Sequence, residues 1–184
     1  MASKALILLA PGFEGLEVIA TIGILRRAGV QVHTIALHEH EVSGARGVTV
    51  VTDSNLGLLD EARTYDAIVL PGGQPGANNL AADSRVLKRL QEQSRAGRWI
   101  GAICAAPKVL AAANLLKGHR ITHFPGALTD AEAQGVEVVD EAVVVDGKLV
   151  TGRGPGVAID FALALVEQLE GRETRDAVEA KLAR

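Results

Sequence analysis

One cysteine, Cys104, stands among 184 residues, inside the stretch WIGAICAAPKVLAAANLL (residues 99–116). "GAI" reads as the end of a strand and "AAPKVL" as the start of a helix. A strand-to-helix turn holds a side chain out beyond a sheet, and the helix start brings unpaired N–H groups and positive dipole beside the sulfur. Both favour the thiolate, which is the nucleophile and also the form that oxidises to sulfenic and sulfinic acid. The competing role is packing, since a free cysteine is often a small buried hydrophobe.

A nucleophile of this kind needs a proton acceptor, and two carboxylates are available in "PGFEGLE", Glu14 and Glu17. They stand three apart on one side of a helical turn, and spacing does not choose between them. A carboxylate beside a thiol would raise the thiol's pKa unless the carboxyl itself stays protonated. A buried glutamate titrates high, so the two groups would share one proton. Both glutamates also suit a helix N-terminus, where the dipole favours acids in any case.

Gly72 and Gly73, after "AIVLP", let backbone approach a ligand and present N–H groups to a developing oxyanion, or simply make a tight turn. "GRGPG" supplies Arg153 as an anion anchor or a solvated charge, and Pro155 fits the first turn of a following helix. In "THFPG", His123 and Phe124 end a strand, and alternation lets only one of them face Cys104. His38 and His40 alternate with Glu39 and Glu41, which is weak support for a metal, and none is expected.

The elements that must position these residues are legible. "KALILLA" (residues 4–10) is a continuous apolar run, the mark of a strand covered on both faces. A helix is expected over residues 16–28, a strand over 30–37, an edge hairpin around "VTVV", and a buried strand in "YDAIVLPGG". Next come a helix over residues 83–96, the "WIGAI" strand, the "AAPKVLAAANLL" helix, and "RITHF" (residues 120–124) as a strand. "AVVVDGKLVTG" is a hairpin turning at Asp146-Gly147, and a long helix over residues 157–169 precedes a short last one. Alternation of strands and helices gives an α/β fold: a doubly wound, mostly parallel sheet sandwiched between helices. In such a sheet ligands bind beyond the carboxyl ends of the strands, where the residues above lie.

Composition sets the outer bounds. Hydrophobic residues make up 48% and aromatics 3%, so the core is aliphatic. One domain, residues 1–184, is expected. Nineteen basic and twenty-two acidic residues give a net charge of −3, without the basic surplus that nucleic acid attracts. A single cysteine forms no internal disulfide, and no apolar run is long enough to span a membrane or to read as a signal peptide. The expectation is a soluble protein of a reducing cytoplasm.

Taken together, "MASKALILLAPGFEGLE", "LRRAGVQV", "YDAIVLPGGQPGANNL", "GAICAAPKVLA" and "GRGPGVAIDFALALVEQLEG" resemble the ThiJ/PfpI superfamily, in the branch of the Parkinson disease protein deglycase and its YajL-like bacterial relatives. The match spans nearly the whole chain in order. The resemblance implies a flavodoxin-like homodimer that works without cofactor or metal. It implies Cys104 as the reactive cysteine, Glu17 as its protonated partner, and Gly73 and Ala105 as sources of N–H groups toward the reacting oxygen. Arg46 and Arg153 match arginines around the sulfur. Relatives commonly carry a histidine before the proline where this chain has Phe124 before Pro125.

The implied chemistry is glutathione-independent conversion of methylglyoxal to lactate, a lactate-forming lyase reaction, with a related deglycase activity. An oxidative-stress sensor or redox-regulated chaperone working through Cys104 would use the same sulfur. The superfamily's peptidases usually place a histidine directly after the cysteine; here Ala105 follows. A nucleotide-binding module lacks its Gly-x-Gly-x-x-Gly after the first strand.

Overall fold

The computed structural model describes residues 2–184. Strand β1 (Lys4–Leu9) is buried from Ala5 onward. Ala5, Ile7 and Leu9 join one core cluster, while Leu6, Leu8 and the following Ala10 join another. Alternate side chains of a strand point to opposite faces, so a continuous apolar run implies a sheet covered on both.

The chain continues through α1 (Gly15–Arg27) to β2 (Gln31–Ala36), then a small antiparallel pair, β3 (Glu41–Ser43) and β4 (Thr49–Val51). Next come β5 (Ser54–Asn55), β6 (Ala67–Leu70), α2 (Gly76–Ala82), α3 (Ser84–Arg95), β7 (Trp99–Ile103) and α4 (Pro107–Ala112). A two-stranded pair follows, β8 (Arg120–Ile121) and β9 (Glu137–Val138), then β10 (Val143–Asp146) and β11 (Leu149–Gly152). A 3-10 turn at Pro155–Val157 leads into α5 (Ala158–Glu170) and α6 (Arg172–Ala180).

The main sheet has seven strands in the order β10-β11-β7-β6-β1-β2-β5, parallel except for β10. Helices α1, α5 and α6 pack on one face, and α2, α3 and α4 on the other. This is the mostly parallel α/β sandwich expected from the alternation of elements. Among the described residues no helix is long and apolar enough to cross a membrane.

Two elements depart from the sequence reading. The stretch after Gly73 forms the additional helix α2, whose first turn carries no side-chain cap; Asp83 then ends α2 and caps α3 by accepting from the Arg85 N–H at 2.9 Å. Residues 120–124 were expected as one strand, but only Arg120 and Ile121 pair in a ladder. Beyond them the amides are diverted: Thr122 donates to Thr151 Oγ1 and Phe124 to the Cys104 carbonyl. A strand is lost there, and a strap across the end of β7 is gained.

β1, β6, β7 and β11 are neighbours and run parallel, so their following loops gather at one end of the sheet. Gly152 and Ile103 are register partners, which brings Arg153 and Cys104 side by side as the chain leaves β11 and β7.

Candidate active site

Cys104 follows the last residue of β7 and turns sharply, with φ at 63°. That left-handed conformation is uncommon outside glycine. Two backbone bonds hold it: its N–H donates to Gly152 O at 2.8 Å, and its carbonyl accepts from Phe124 N–H at 2.9 Å. The residue is only 8% exposed, so it is nearly enclosed among the loops that follow β6, β7 and β11.

Glu17 lies in the first turn of α1 and is fully buried. Its Oε2 accepts from Gly72 N–H at 2.6 Å, while Oε1 is buried with no hydrogen-bond partner of good geometry. Burial pushes its carboxyl up to about 7; the Gly72 amide and the Cys104 thiol oppose that rise, and Glu14 adds to it. Glu14 plays a different part. It caps α1, its Oε1 accepting from Leu16 N–H at 3.3 Å. The choice left open by spacing is thus resolved in geometry: one acid faces the thiol, the other starts the helix.

The thiol does not sit in the electropositive setting that a strand-to-helix turn suggests. Burial, followed by the charge and hydrogen bond of Glu17, pushes Cys104 up to about 12. α4 is only six residues long and begins three residues beyond the sulfur, so its dipole contributes little. What favours thiolate is local: hydrogen bonds from the Gly73 and Ala105 backbone pull the value down. Thiol and carboxyl therefore titrate as one unit. With a single proton between them, the charge sits on the carboxylate, supported by Gly72 N–H, or on sulfur, supported by Gly73 and Ala105.

The cleft floor depends on glycine. A side chain at Gly72 would bring its Cβ to 2.7 Å from that of Cys104 and 2.9 Å from Ala105 N. Gly73 has φ +87°, and a Cβ there would stand 2.4 Å from Glu14 N and 2.5 Å from Gly12 O. These close approaches let the β6 loop carry its amides up to both acid and sulfur.

At the rim, Arg153 pairs with Asp140 and leads into Gly154 and Pro155. Phe124, Pro125, Arg153, Pro155 and Val157 line a cavity of about 410 Å³. His123 is directed elsewhere: its Nδ1 lies 2.7 Å from the Phe124 carbonyl, which can only accept, so the proton is on Nδ1. Of the two candidates it is Phe124 that borders the cleft. Arg46 is exposed in the β3–β4 turn, which is docked on the loop after β1 by Ala45 N–H donating to Phe13 O. His38 and His40 are exposed, and among the described residues no three His, Cys, Asp or Glu side chains group as metal ligands do.

The sequence reading passed over Gly12, Asp140 and Val157. Gly12 has φ +90° and lies against Gly73, a role for which "PG" after the first strand is a signal. Nothing in the pattern marks Asp140 or Val157. A larger groove of about 660 Å³, between the loop after β5 and α3, is lined by Arg85 and Lys88, which pair with Asp83 and Glu61. It lies apart from the thiol.

The chain is similar to known proteins over nearly its whole length. The sequence model of the DJ-1/PfpI family matches residues 3–168. Protein dj-1beta of Drosophila melanogaster is 40% identical over 174 residues, covering 94% of this chain and 92% of that protein. The Caenorhabditis elegans protein named glutathione-independent glyoxalase DJR-1.2 is 38% identical over 92% of this chain and 90% of its own length. The crystal structure of Drosophila melanogaster DJ-1beta superposes with a TM-score of 0.94 at 38% identity, over 100% of this chain and 98% of that one. A structure of oxidized Toxoplasma gondii DJ-1 gives 0.91 at 33% identity, over 99% and 98%.

Proposed function

Because this chain belongs to the DJ-1/PfpI family, we propose that it is a glutathione-independent and cofactor-independent glyoxalase, converting α-oxoaldehydes such as methylglyoxal to 2-hydroxy acids such as lactate, with deglycation of related adducts as an extension of the same attack. The observation that carries this reading is the buried pair: a carboxyl held near 7 against the chain's single thiol, with backbone N–H groups directed at the sulfur.

The reaction begins from the form with charge on sulfur and the proton on Glu17. The thiolate adds to the aldehyde carbon, and Glu17 gives its proton to the new oxyanion, which forms beside the Gly73 and Ala105 amides. The carboxylate then removes the hydrogen from that carbon as a proton and delivers it to the adjacent carbonyl carbon, while the hydroxyl proton of the hemithioacetal passes to the second oxygen. The first carbon reaches the thioester level as the second becomes an alcohol, so no external oxidant or reductant is needed. Water cleaves the thioester, releasing the 2-hydroxy acid and restoring the thiol.

Incubation of purified protein with methylglyoxal, free of glutathione and metal, tests the reading. Lactate from wild type and none from Cys104→Ser are expected; equal production by both would overturn it. A second reading uses the same sulfur as an oxidation sensor or redox-regulated chaperone. It draws on the Gly73 and Ala105 amides, which would also hold sulfinate oxygens, and on the relative solved in an oxidized form. Intact mass after mild peroxide distinguishes it: Cys104 unchanged in mass excludes the sensor.

The same reading includes a homodimer in the cytoplasm. Leu16 and Ile19, 67% and 54% exposed on α1, form an apolar face of the kind that a second copy covers.

A further inference from the structure

Phe124 is 48% exposed, an unusual position for one of only three phenylalanines in the chain. Its backbone is anchored beside the thiol and its ring lies near Gly154. The Phe124 amide is bonded to the Cys104 carbonyl, and Gly154 lies so near that a Cβ there would be 3.3 Å from the ring. The cavity that the ring lines, about 410 Å³, is otherwise walled by Pro125, Pro155, Gly154, Gly156 and Val157. Arg153 is its one charged residue, and that guanidinium is engaged by Asp140. Both walls come from segments bonded directly to Cys104: the strap carrying Phe124 and the continuation of β11, whose Gly152 accepts the Cys104 N–H. Arg153 and Cys104 each directly follow one of the register partners Gly152 and Ile103 on adjacent strands. An apolar bay thus opens beside the nucleophile, far larger than a methyl group requires.

We infer that Phe124 is a specificity-determining residue whose ring, with Pro125, Pro155 and Val157, receives the substituent on the α-oxoaldehyde, so that the preferred substrates carry a bulky apolar group, branched, cyclic or aryl, in place of the methyl of methylglyoxal. This rests on the glyoxalase reading above. The aldehyde and ketone carbons stay over Cys104 and Glu17, and the substituent lies on the ring. An aromatic side chain, with few rotatable bonds and an anchored backbone, offers contact area at little entropic cost, and apolar contact discriminates between substrates by size. Arg153, held by Asp140, leaves no free cation in the bay to prefer an anionic substituent.

The test compares methylglyoxal with cyclohexylglyoxal, two alkyl substrates of similar carbonyl reactivity, in wild type, Phe124→Ala and Phe124→Leu. Wild type is expected to favour cyclohexylglyoxal in kcat/KM. Phe124→Ala should lower kcat/KM for that substrate about tenfold, mainly through KM, while changing methylglyoxal less than about twofold, with Phe124→Leu between. Sedimentation of each variant accompanies the kinetics. Equal changes for both substrates, no change for either, or a parallel loss accompanied by a change of oligomeric state would overturn the bay and leave the glyoxalase reading intact. Turnover of neither substrate by wild type would remove both.

Discussion

The Gly72 amide and the Glu17 carboxyl, 55 residues apart in sequence, meet at 2.6 Å in the floor of the cleft. That bond ties the end of β6 to the first turn of α1. It also decides which carboxyl oxygen is occupied and which is left for a proton. The chemistry of the pair follows from that division.

The first consequence is a pH profile. Below about 7 both Glu17 and Cys104 are protonated, and neither charge form of the pair is present. Activity toward methylglyoxal should fall about tenfold per pH unit below that point. A pH–rate series from 5 to 8 measures it; a flat profile would remove the paired-proton mechanism.

Stability should respond in the opposite direction. The folded carboxyl is raised from 4.5 to about 7, so the native state binds the extra proton between those values. The stabilisation is present below about 4.5 and is lost as pH rises through about 7, because the ionised form is favoured in the unfolded chain. Glu17→Gln should abolish this slope. Urea unfolding at pH 5 and pH 8 should show wild type losing on the order of 3 kcal/mol more than the variant.

Gly73→Ala should be severely destabilising. Its positive φ costs about 1 kcal/mol or more for a non-glycine residue, and here the new methyl also collides with the backbone of residues 12–14. Gly29 supplies the control, with φ +85° and nothing within 4 Å. Thermal unfolding should show Gly29→Ala losing only the conformational part, and Gly73→Ala losing more than about 2 kcal/mol together with activity.

For the homodimer, Leu16→Glu with Ile19→Glu places charge on the exposed face of α1 without entering the core. Sedimentation equilibrium should show wild type as a dimer and the double variant shifted to monomer. Monomeric wild type at micromolar concentration would sink the proposal.

Local pattern in the sequence carried the architecture far. The apolar run of β1, the glycines after β6 and the abrupt change of character at Cys104 each follow from side-chain periodicity or backbone freedom, which are local properties. What it did not carry was set by distant partners. Glu14 and Glu17 have equal claims until the Gly72 N–H, distant in sequence, donates to one of them. The stretch after Ile121 reads as strand because its residues have strand propensity, but the Thr122 and Phe124 amides find better partners in Thr151 and Cys104. Cys104 reads as an exposed, dipole-activated thiol, whereas burial and Glu17 dominate its ionisation. Tertiary context overrode local preference at each of these positions.

The floor of the cleft is backbone, and its rim is side chain. At positions 72 and 73 any added Cβ meets Cys104, Ala105, Glu14 or Gly12 within 3 Å, so the floor has almost no viable single-step variants. Phe124 and Arg153 stand at the edge, part exposed, where substitutions cost the fold little. Mutational drift is therefore channelled. The chain can explore new substrates while inheriting its chemistry unchanged, because the sites open to variation and the sites closed to it belong to different segments around one cysteine.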